Sequence, residues 1–348
     1  MSVPASLPGR RPRATMKNVA ALAGVGTKTV SRVINGEPNV SPATAERVWT
    51  AVRALDYHVD LQAGSLRRAD GRTRTLGLLV GSVDNPFAAA IHRAVEDGAS
   101  ARGVAVFASS LDDDPLREED AVRAFMRRRV DGLILTTSGR STGYLGSVRE
   151  MGIPVVYVDR EPVESGIDSI TSDNRAGAAA ATEHLIAHGH RRIALLTDRL
   201  EIQTAYERRQ GFLDALGRAG IPTTSTPMIS ELHDEAGAQA ALTRLLHSDE
   251  PPTAIFSAQN LITVGALHAL REQKRQRSIA LVGFDDLPLA DLVEPGVTVV
   301  AQHPHRIGQL AVERLFARLE GDTSPASHMV VPTTLIIRGS GEIKPPAE

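Results

Sequence analysis

The sequence predicts a small helical unit built on a helix-turn-helix, followed by a larger α/β body of two lobes. Three observations predict it. Residues 15–57 hold three short helical patterns, the first two joined by a glycine turn. From Thr75 onward, short apolar runs bounded by turn residues alternate with helical patterns, the mark of parallel sheets made of βαβ units. Charge divides at the same place: residues 1–75 carry twelve Lys+Arg against five Asp+Glu, or +7, and the remainder carries −9 of the net −2. A basic head on an acidic body predicts that only the head meets a polyanion.

The chain's 348 residues are too many for one hydrophobic core. A hydrophobic content of 42% and a charged content of 23% are ordinary for a soluble globular protein. The absence of cysteine excludes disulfides and thiolate metal sites and fits a reducing compartment. The opening MSVPASLPGRRPRATMKN has no apolar core of signal-peptide length. No run approaches the roughly 18 apolar residues of a membrane span. A cytoplasmic, nucleoid-associated protein without membrane attachment is expected.

In chain order, Thr15 is placed to cap a first helix, MKNVAALAG, with Val19, Leu22 and Ala23 facing inward and Gly24 as terminator. GVGTKTVSRVING follows. Val30, Val33 and Ile34 share one face by the i, i+3, i+4 rule, which leaves Lys28, Ser31, Arg32 and Asn35 on another. That second face holds only donors, hydroxyls and positive charge, which suits phosphates and base edges when a helix lies in a major groove. Ser41-Pro42 opens a third helix with Val48, Val52 and Leu55 inward. The polar, arginine-rich DLQAGSLRRADGRTR of residues 60–74 reads as a linker.

In the body, TLGLLVG, VAVFAS, DGLILTT and IPVVYVD read as one series of strands, with helices near 86–101, 116–128 and 142–151. RRIALLTD, PTAIFSA and SIALVGFDD read as a second, with helices near 175–188, 203–218, 234–247 and 260–273. Two open α/β layers imply a cleft. Ligands of such sheets sit at the carboxyl ends of the strands, where Asp84, Asp159, Asp198 and Asp285 lie. No internal repeat stands out.

Other chemistry finds little support. His184, His188 and His190 in HLIAHGH have metal-like spacing, but they sit at a helix end terminated by Gly189, and no carboxylate pair follows. Histidines there also favour the helix dipole. HPH at 303–305 is weaker still. G-x-G-x-x-G after a strand, the P-loop and G-x-S-x-G are all missing, so neither a cofactor nor a metal is expected.

Residues 14–68 resemble the headpiece of the lactose-repressor (LacI/GalR) family through VAALAGV, TVSRVING, NVSPATAERV and the A-x-S-L of the linker. The likeness continues through DNPF, RRRVDGLIL, HLIAHGHRRIALL, ERRQGF, VGFDD and PTTLIIRGS, nearly to residue 341. The resemblance implies a helix-turn-helix DNA-binding headpiece plus a two-lobed α/β periplasmic-binding-protein-like effector domain. It divides the chain into a basic arm (1–14), headpiece (15–59), hinge helix and linker (60–74), effector-binding and dimerisation body (75–341) and tail (342–348).

By position, the resemblance gives Thr27 and Lys28 base reading, Arg32 a base or phosphate contact, Thr29 and Ser31 backbone contacts, and Asn35 a helix-end contact. Leu66 takes the place of the hinge leucine that wedges a minor-groove step. Asp84, Asn85, Phe87, Asp159, Arg160, Arg208, Gln259, Asn260 and Asp285 take the places of the effector contacts. The implied partners are double-stranded operator DNA, a carbohydrate-like small molecule and a second copy of the chain. Two headpieces on a two-fold axis would match a pseudo-palindrome. The ending GEIKPPAE lacks the leucine heptads of tetramerising relatives, so a homodimer is expected.

Four departures from the family pattern stand out. Gly26 replaces a capping serine, Gly64 sits inside the hinge, Gln259-Asn260 carries one carboxylate fewer than usual, and Leu232 stands where a stacking aromatic is common. A sugar-acting enzyme and a transporter's solute-binding protein are the rival classes. The first needs a placed acid/base pair and leaves the headpiece unexplained; the second needs a signal peptide.

Overall fold

A computed structural model describes residues 14–34, 37–57, 71–112, 114–139 and 143–347. The chain divides into two compact units, one ending at Thr73 and the other running from Arg74.

In the first unit, α1 (Met16–Ala23) starts at a capping box. The Thr15 hydroxyl accepts from the Asn18 amide at 3.4 Å, and the Asn18 side chain accepts from the Thr15 amide at 2.9 Å. Gly24 closes the helix at φ 65°, a left-handed conformation that glycine adopts without a Cβ clash. Val19, Ala20 and Ala23 are the buried face. Leu22, expected inward, is 56% exposed, because it lies roughly a third of a turn from that face's centre. After the turn, α2 (Thr27–Ile34) buries Val30 and Val33 against Val48 and Ala51 of α3 (Pro42–Ala54), with Ile34 half-buried beside them. Ser41 caps α3, its hydroxyl accepting from the Thr44 amide at 3.3 Å.

The second unit holds two six-stranded sheets. The first has the order β11-β5-β4-β3-β1-β2: β1 (Thr75–Val80), β2 (Ala105–Ser110), β3 (Gly132–Leu135), β4 (Val155–Val158), β5 (Asp168–Ser172) and β11 (His328–Val331), all parallel. The second has the order β12-β10-β9-β8-β6-β7: β6 (Ile193–Leu196), β7 (Met228–Ile229), β8 (Ala254–Ser257), β9 (Ala280–Phe284), β10 (Thr298–Ala301) and β12 (Thr334–Ile336). Only β12, against β10, runs antiparallel. The two orders correspond strand for strand, a structural repeat that the sequence does not display.

The lobes are not contiguous in sequence. The chain passes from the first sheet to the second after β5, returns after β10, and crosses again between β11 and β12. The returning segment carries α11 (Pro304–Leu319), whose Ile307, Ala311, Val312 and Leu315 complete the first lobe's core with Leu76, Leu78, Ile91 and Val95. It is anchored by Asp168, which is 3% exposed and meets Arg318 Nε at 2.7 Å, Arg314 Nε at 2.8 Å and the Ser327 amide at 2.8 Å. Burial alone would raise the Asp168 carboxyl. The hydrogen bonds from Arg318 and Ser327, with the Arg314 guanidinium paired beside them, overcome it and hold the group below its ordinary value. The sequence reading, which treats the lobes as two successive series, lacks β5, β7, β10, α11, β11 and β12.

In the second lobe, α7 (Asn174–Ala187) packs on α8 (Gln203–Arg218), and α9 (Glu235–Leu246) on α10 (Asn260–Glu272). The other helices are α4 (Pro86–Ser100), α5 (Pro115–Arg127) and α6 (Leu145–Glu150). Gly211 makes the α7–α8 approach possible: a Cβ there would lie 2.1 Å from the Arg175 carbonyl oxygen. Among the described residues, no helix is long and apolar enough to cross a membrane.

Candidate nucleic-acid interface and interlobe cleft

On α2, the valines that hold the helix to its neighbours leave Thr27, Lys28 and Arg32 exposed, with Thr29 and Ser31 half-exposed. Five of the expected contact residues thus lie on the part of α2 turned away from its buried valines, with Lys28, Ser31 and Arg32 closest together. Arg32 Nε lies 3.7 Å from Glu37, but both side chains are about half exposed, so the pair is solvated and contributes little. The helix begins at Gly26, whose carbonyl accepts from the Thr29 and Val30 amides. Asn35, Gly64 and Leu66 lie outside the described residues.

In the body, the carboxyl ends of both sheets converge on a cavity of about 340 Å³, within the range of small-molecule sites. Asp84 follows β1 and Asp198 follows β6, its counterpart. Asp159 follows β4 and Asp285 follows β9, again counterparts. The second pair shares one backbone device. Both residues adopt positive φ, 70° and 73°, and each amide donates 2.9 Å back to the neighbouring strand, at Ile170 and Val300. Aspartate tolerates this left-handed conformation better than most residues, and it turns each carboxylate into the cleft.

Arg208 is a buried cation of the cleft with several partners. Its Nε donates to Asn174 Oδ1 at 2.8 Å, its Nη1 donates to the Ala258 carbonyl at 2.8 Å, and Asp285 lies 4.0 Å away. The guanidinium sits 3.8 Å from the Phe284 ring centroid. Burial lowers its pKa, while Asp285, Asp159 and Glu207 oppose that shift. The close approach permitted by Gly211, one turn along α8, brings Arg208 within reach of Asn174 at the head of α7. Arg160 is also buried, donating to the Thr137 carbonyl at 3.1 Å.

Eight of the nine expected contacts line the cavity: Asp84, Asn85, Phe87, Asp159, Arg160, Arg208, Gln259 and Asp285. Asn260 does not. It is 1% exposed and exchanges amide hydrogen bonds of 2.8 and 3.2 Å with Asn85, joining the lobes beside the cavity. Gln259 has a second task, its side chain capping α10 by accepting from the Ile262 amide at 3.2 Å. Leu232 is a core residue at 6% exposure. The cavity position belongs to its neighbour His233, whose Nδ1 lies 3.3 Å from Asp198.

The sequence reading missed Asp112, His233, Glu235 and Gln302 as lining residues. Gln302 is buried, and its amide donates to Asp285 at 2.5 Å. Its Oε1 is buried and has no hydrogen-bond partner among the described residues. Gln302 follows β10, and without that strand no sequence signal marks it. In all, six carboxylates (Asp84, Asp112, Asp159, Asp198, Glu235, Asp285) face two guanidinium groups, a balance of −4.

The family model described as "Bacterial regulatory proteins, lacI family" matches residues 15–60, and that of a periplasmic binding protein-like domain matches residues 182–341. The ribose operon repressor of Haemophilus influenzae is 32% identical over 94% of this chain and 98% of its own length. The HTH-type transcriptional regulator PtxS of Pseudomonas aeruginosa is 34% identical over 95% and 96%. Among solved structures, the lac repressor dimer bound to operator and the anti-inducer ONPF matches with a TM-score of 0.82 at 26% identity, covering 94% of this chain and 99% of that one. A transcriptional regulator CelR–cellobiose complex matches with a TM-score of 0.69 at 33% identity, covering 94% and 100%.

Proposed function

The chain belongs to the lacI family of bacterial regulatory proteins, and from that premise we propose that it is a repressor whose grip on operator DNA is set by an uncharged, polyhydroxylated molecule in the interlobe cleft. α2 is the recognition helix. Thr27 and Lys28 read base edges, Arg32 holds phosphate, and Thr29, Ser31 and Asn35 fix the helix on the backbone. Leu66 supplies the minor-groove wedge.

One observation carries the effector class: carboxylates and arginines converge on one cavity with a balance of −4. Carboxylates accept from sugar hydroxyls and guanidinium groups donate to them. The negative balance repels phosphorylated or carboxylated metabolites. A catalytic role has less support for two of the acids, which already hold partners: Asp285 meets Gln302 and Arg208, and Asp198 meets the Arg199 amide and His233.

We assign the second copy of the dimer to the apolar surface where Leu289 and Leu292, 65% and 72% exposed, adjoin Leu261, Val264 and Leu267 of α10. Effector binding biases the lobe geometry and, through residues 60–74, the ordering of the hinge. A coupling of about 1–3 kcal/mol changes operator affinity roughly 5- to 150-fold. The protein acts at its operator in the cytoplasm.

The test begins by selecting operators from random duplex DNA with the full-length protein. Operator binding is then titrated against neutral monosaccharides and their phosphorylated and acidic counterparts. The expected outcome is a palindromic site and release or tightening by a neutral sugar alone. A response confined to anionic metabolites would sink the effector reading, and failure to select any palindrome would sink the operator reading.

A further inference from the structure

HLIAHGH has spacing suited to a metal, but the carboxylate beside it in sequence, Glu183, is taken by Arg218 and no carboxylate pair follows. The structure supplies a carboxylate from the far end of the chain. His184 lies in the last turn of α7 and His188 caps its end four residues on, and Glu342 reaches them from the short turn Ser340–Glu342. One ligand atom from each lies within 4.8 Å of the other two, and His184 Nε2 touches Glu342 Oε1.

We propose that His184, His188 and Glu342 form a binding site for a divalent transition ion of the zinc class, distinct from the effector cleft. The donor set suits such an ion: two imidazoles and one carboxylate leave a fourth position for water. Ligand atoms around a tetrahedral zinc lie about 3.4 Å apart, so closure needs side-chain rotations of about 1 Å. His188 and Glu342 are only partly buried, which leaves room for that movement.

Outer hydrogen bonds already orient the ligands. His188 Nδ1 lies 2.8 Å from the His184 carbonyl oxygen, so Nδ1–H donates there and the Nε2 lone pair is directed outward. The Thr298 hydroxyl meets both Glu342 carboxylate oxygens, at 3.2 and 3.4 Å. His190 is not a ligand. Its ring nitrogens are engaged by Thr253 Oγ1 at 2.9 Å and the Ile343 carbonyl at 2.7 Å, which fixes the segment carrying Glu342. An ion here ties the end of α7 to the residues that follow β12.

The test uses full-length protein made without a polyhistidine tag and stripped with chelator. Equilibrium dialysis with Zn2+ is expected to retain one ion per chain, Co2+ to give the visible bands of a four-coordinate site, and the thermal midpoint to rise with zinc concentration. His188→Leu and Glu342→Gln should each abolish the cobalt bands and weaken zinc binding by more than about 100-fold, beyond the scale of losing an outer hydrogen bond. The metal-free midpoints of both variants should stay near that of the stripped parent. No ion retained by the parent, or parental affinity in either folded variant, overturns the proposal. Should one variant fail to fold, the other decides.

Discussion

Replacing Arg208 by alanine tests whether the cleft's central cation is also a strut of the second lobe. The substitution strips a donor from two acceptors, Asn174 Oδ1 and the Ala258 carbonyl, and removes the cation nearest Asp285. Arg208 and Asn174 are 5% and 1% exposed, so water does not readily take over. A buried acceptor left unmade costs about 1–3 kcal/mol, and breaking a buried ion pair about 3–5 kcal/mol. These costs overlap, and about 4 kcal/mol is a fair total. At about 2.1 cal/mol/K per residue, the unit from Arg74 to Glu348 has an unfolding entropy near 0.6 kcal/mol/K, so the midpoint should fall by about 7 °C. The assay is thermal unfolding of the full chain followed by circular dichroism, which the larger unit dominates. Trp49, the only tryptophan, reports the smaller unit independently by fluorescence and should not move. Well below the midpoint, the variant should still bind operator but no longer answer to effector. A fall of less than about 2 °C would refute the claim that Arg208's hydrogen bonds hold the lobe together.

Arg32→Ala should weaken binding to operator and random DNA alike and reduce the slope of log affinity against log salt by about one unit, read by titration at several salt concentrations. Asn85→Ala removes the paired amide contacts to Asn260, worth about 1–3 kcal/mol together, and should shift the lobes toward the open form, weakening effector affinity about 5- to 150-fold by calorimetry. Asp168 has a folded pKa below its unfolded value, so its contribution is complete above about pH 5 and disappears as pH falls through that folded pKa. Asp168→Asn should therefore cost about 3–5 kcal/mol at pH 7 and flatten the acid limb of a stability–pH curve. Gly211→Ala should destabilise by 3 kcal/mol or more, by the overpacking scale of about 1–3 kcal/mol and a Cβ 2.1 Å from backbone oxygen, because a backbone atom cannot step aside as a side chain can.

Much of this was legible in the sequence where the signal is local. Capping hydroxyls, glycine terminators and apolar runs locate α1, α3 and the central strands to within a few residues. Carboxylates at strand ends locate the cleft, because a parallel sheet places those ends together. The missed parts depend on partners distant in sequence. DSITS of β5 is a buried strand without an apolar run, and Asp168 is tolerated there only because Arg314 and Arg318 arrive about 150 residues later. HMVV and TLI are short edge strands that no period-2 pattern distinguishes from loop. Leu232 and His233 show the limit of positional inference: a one-residue difference in orientation exchanges core for cavity. The HPH of 303–305, weighed as a weak metal motif, instead begins α11, with Pro304 in its first turn.

The interleaving of the lobes also dictates when either can fold on the ribosome. The first five strands of the first sheet are synthesised by Ser172, yet the helix that covers their apolar face begins only at Pro304. At about 5–20 residues per second, some 130 intervening residues take roughly 7 to 26 s to emerge. Throughout that interval the nascent chain exposes Leu76, Leu78, Ile91 and Val95 without α11, and an unpaired edge at β5 without β11. A ribosome stalled before residue 304 holds two unfinished lobes, because β12 has not emerged either. Until α11, β11 and β12 emerge, those apolar side chains and strand edges have no partner from their own chain.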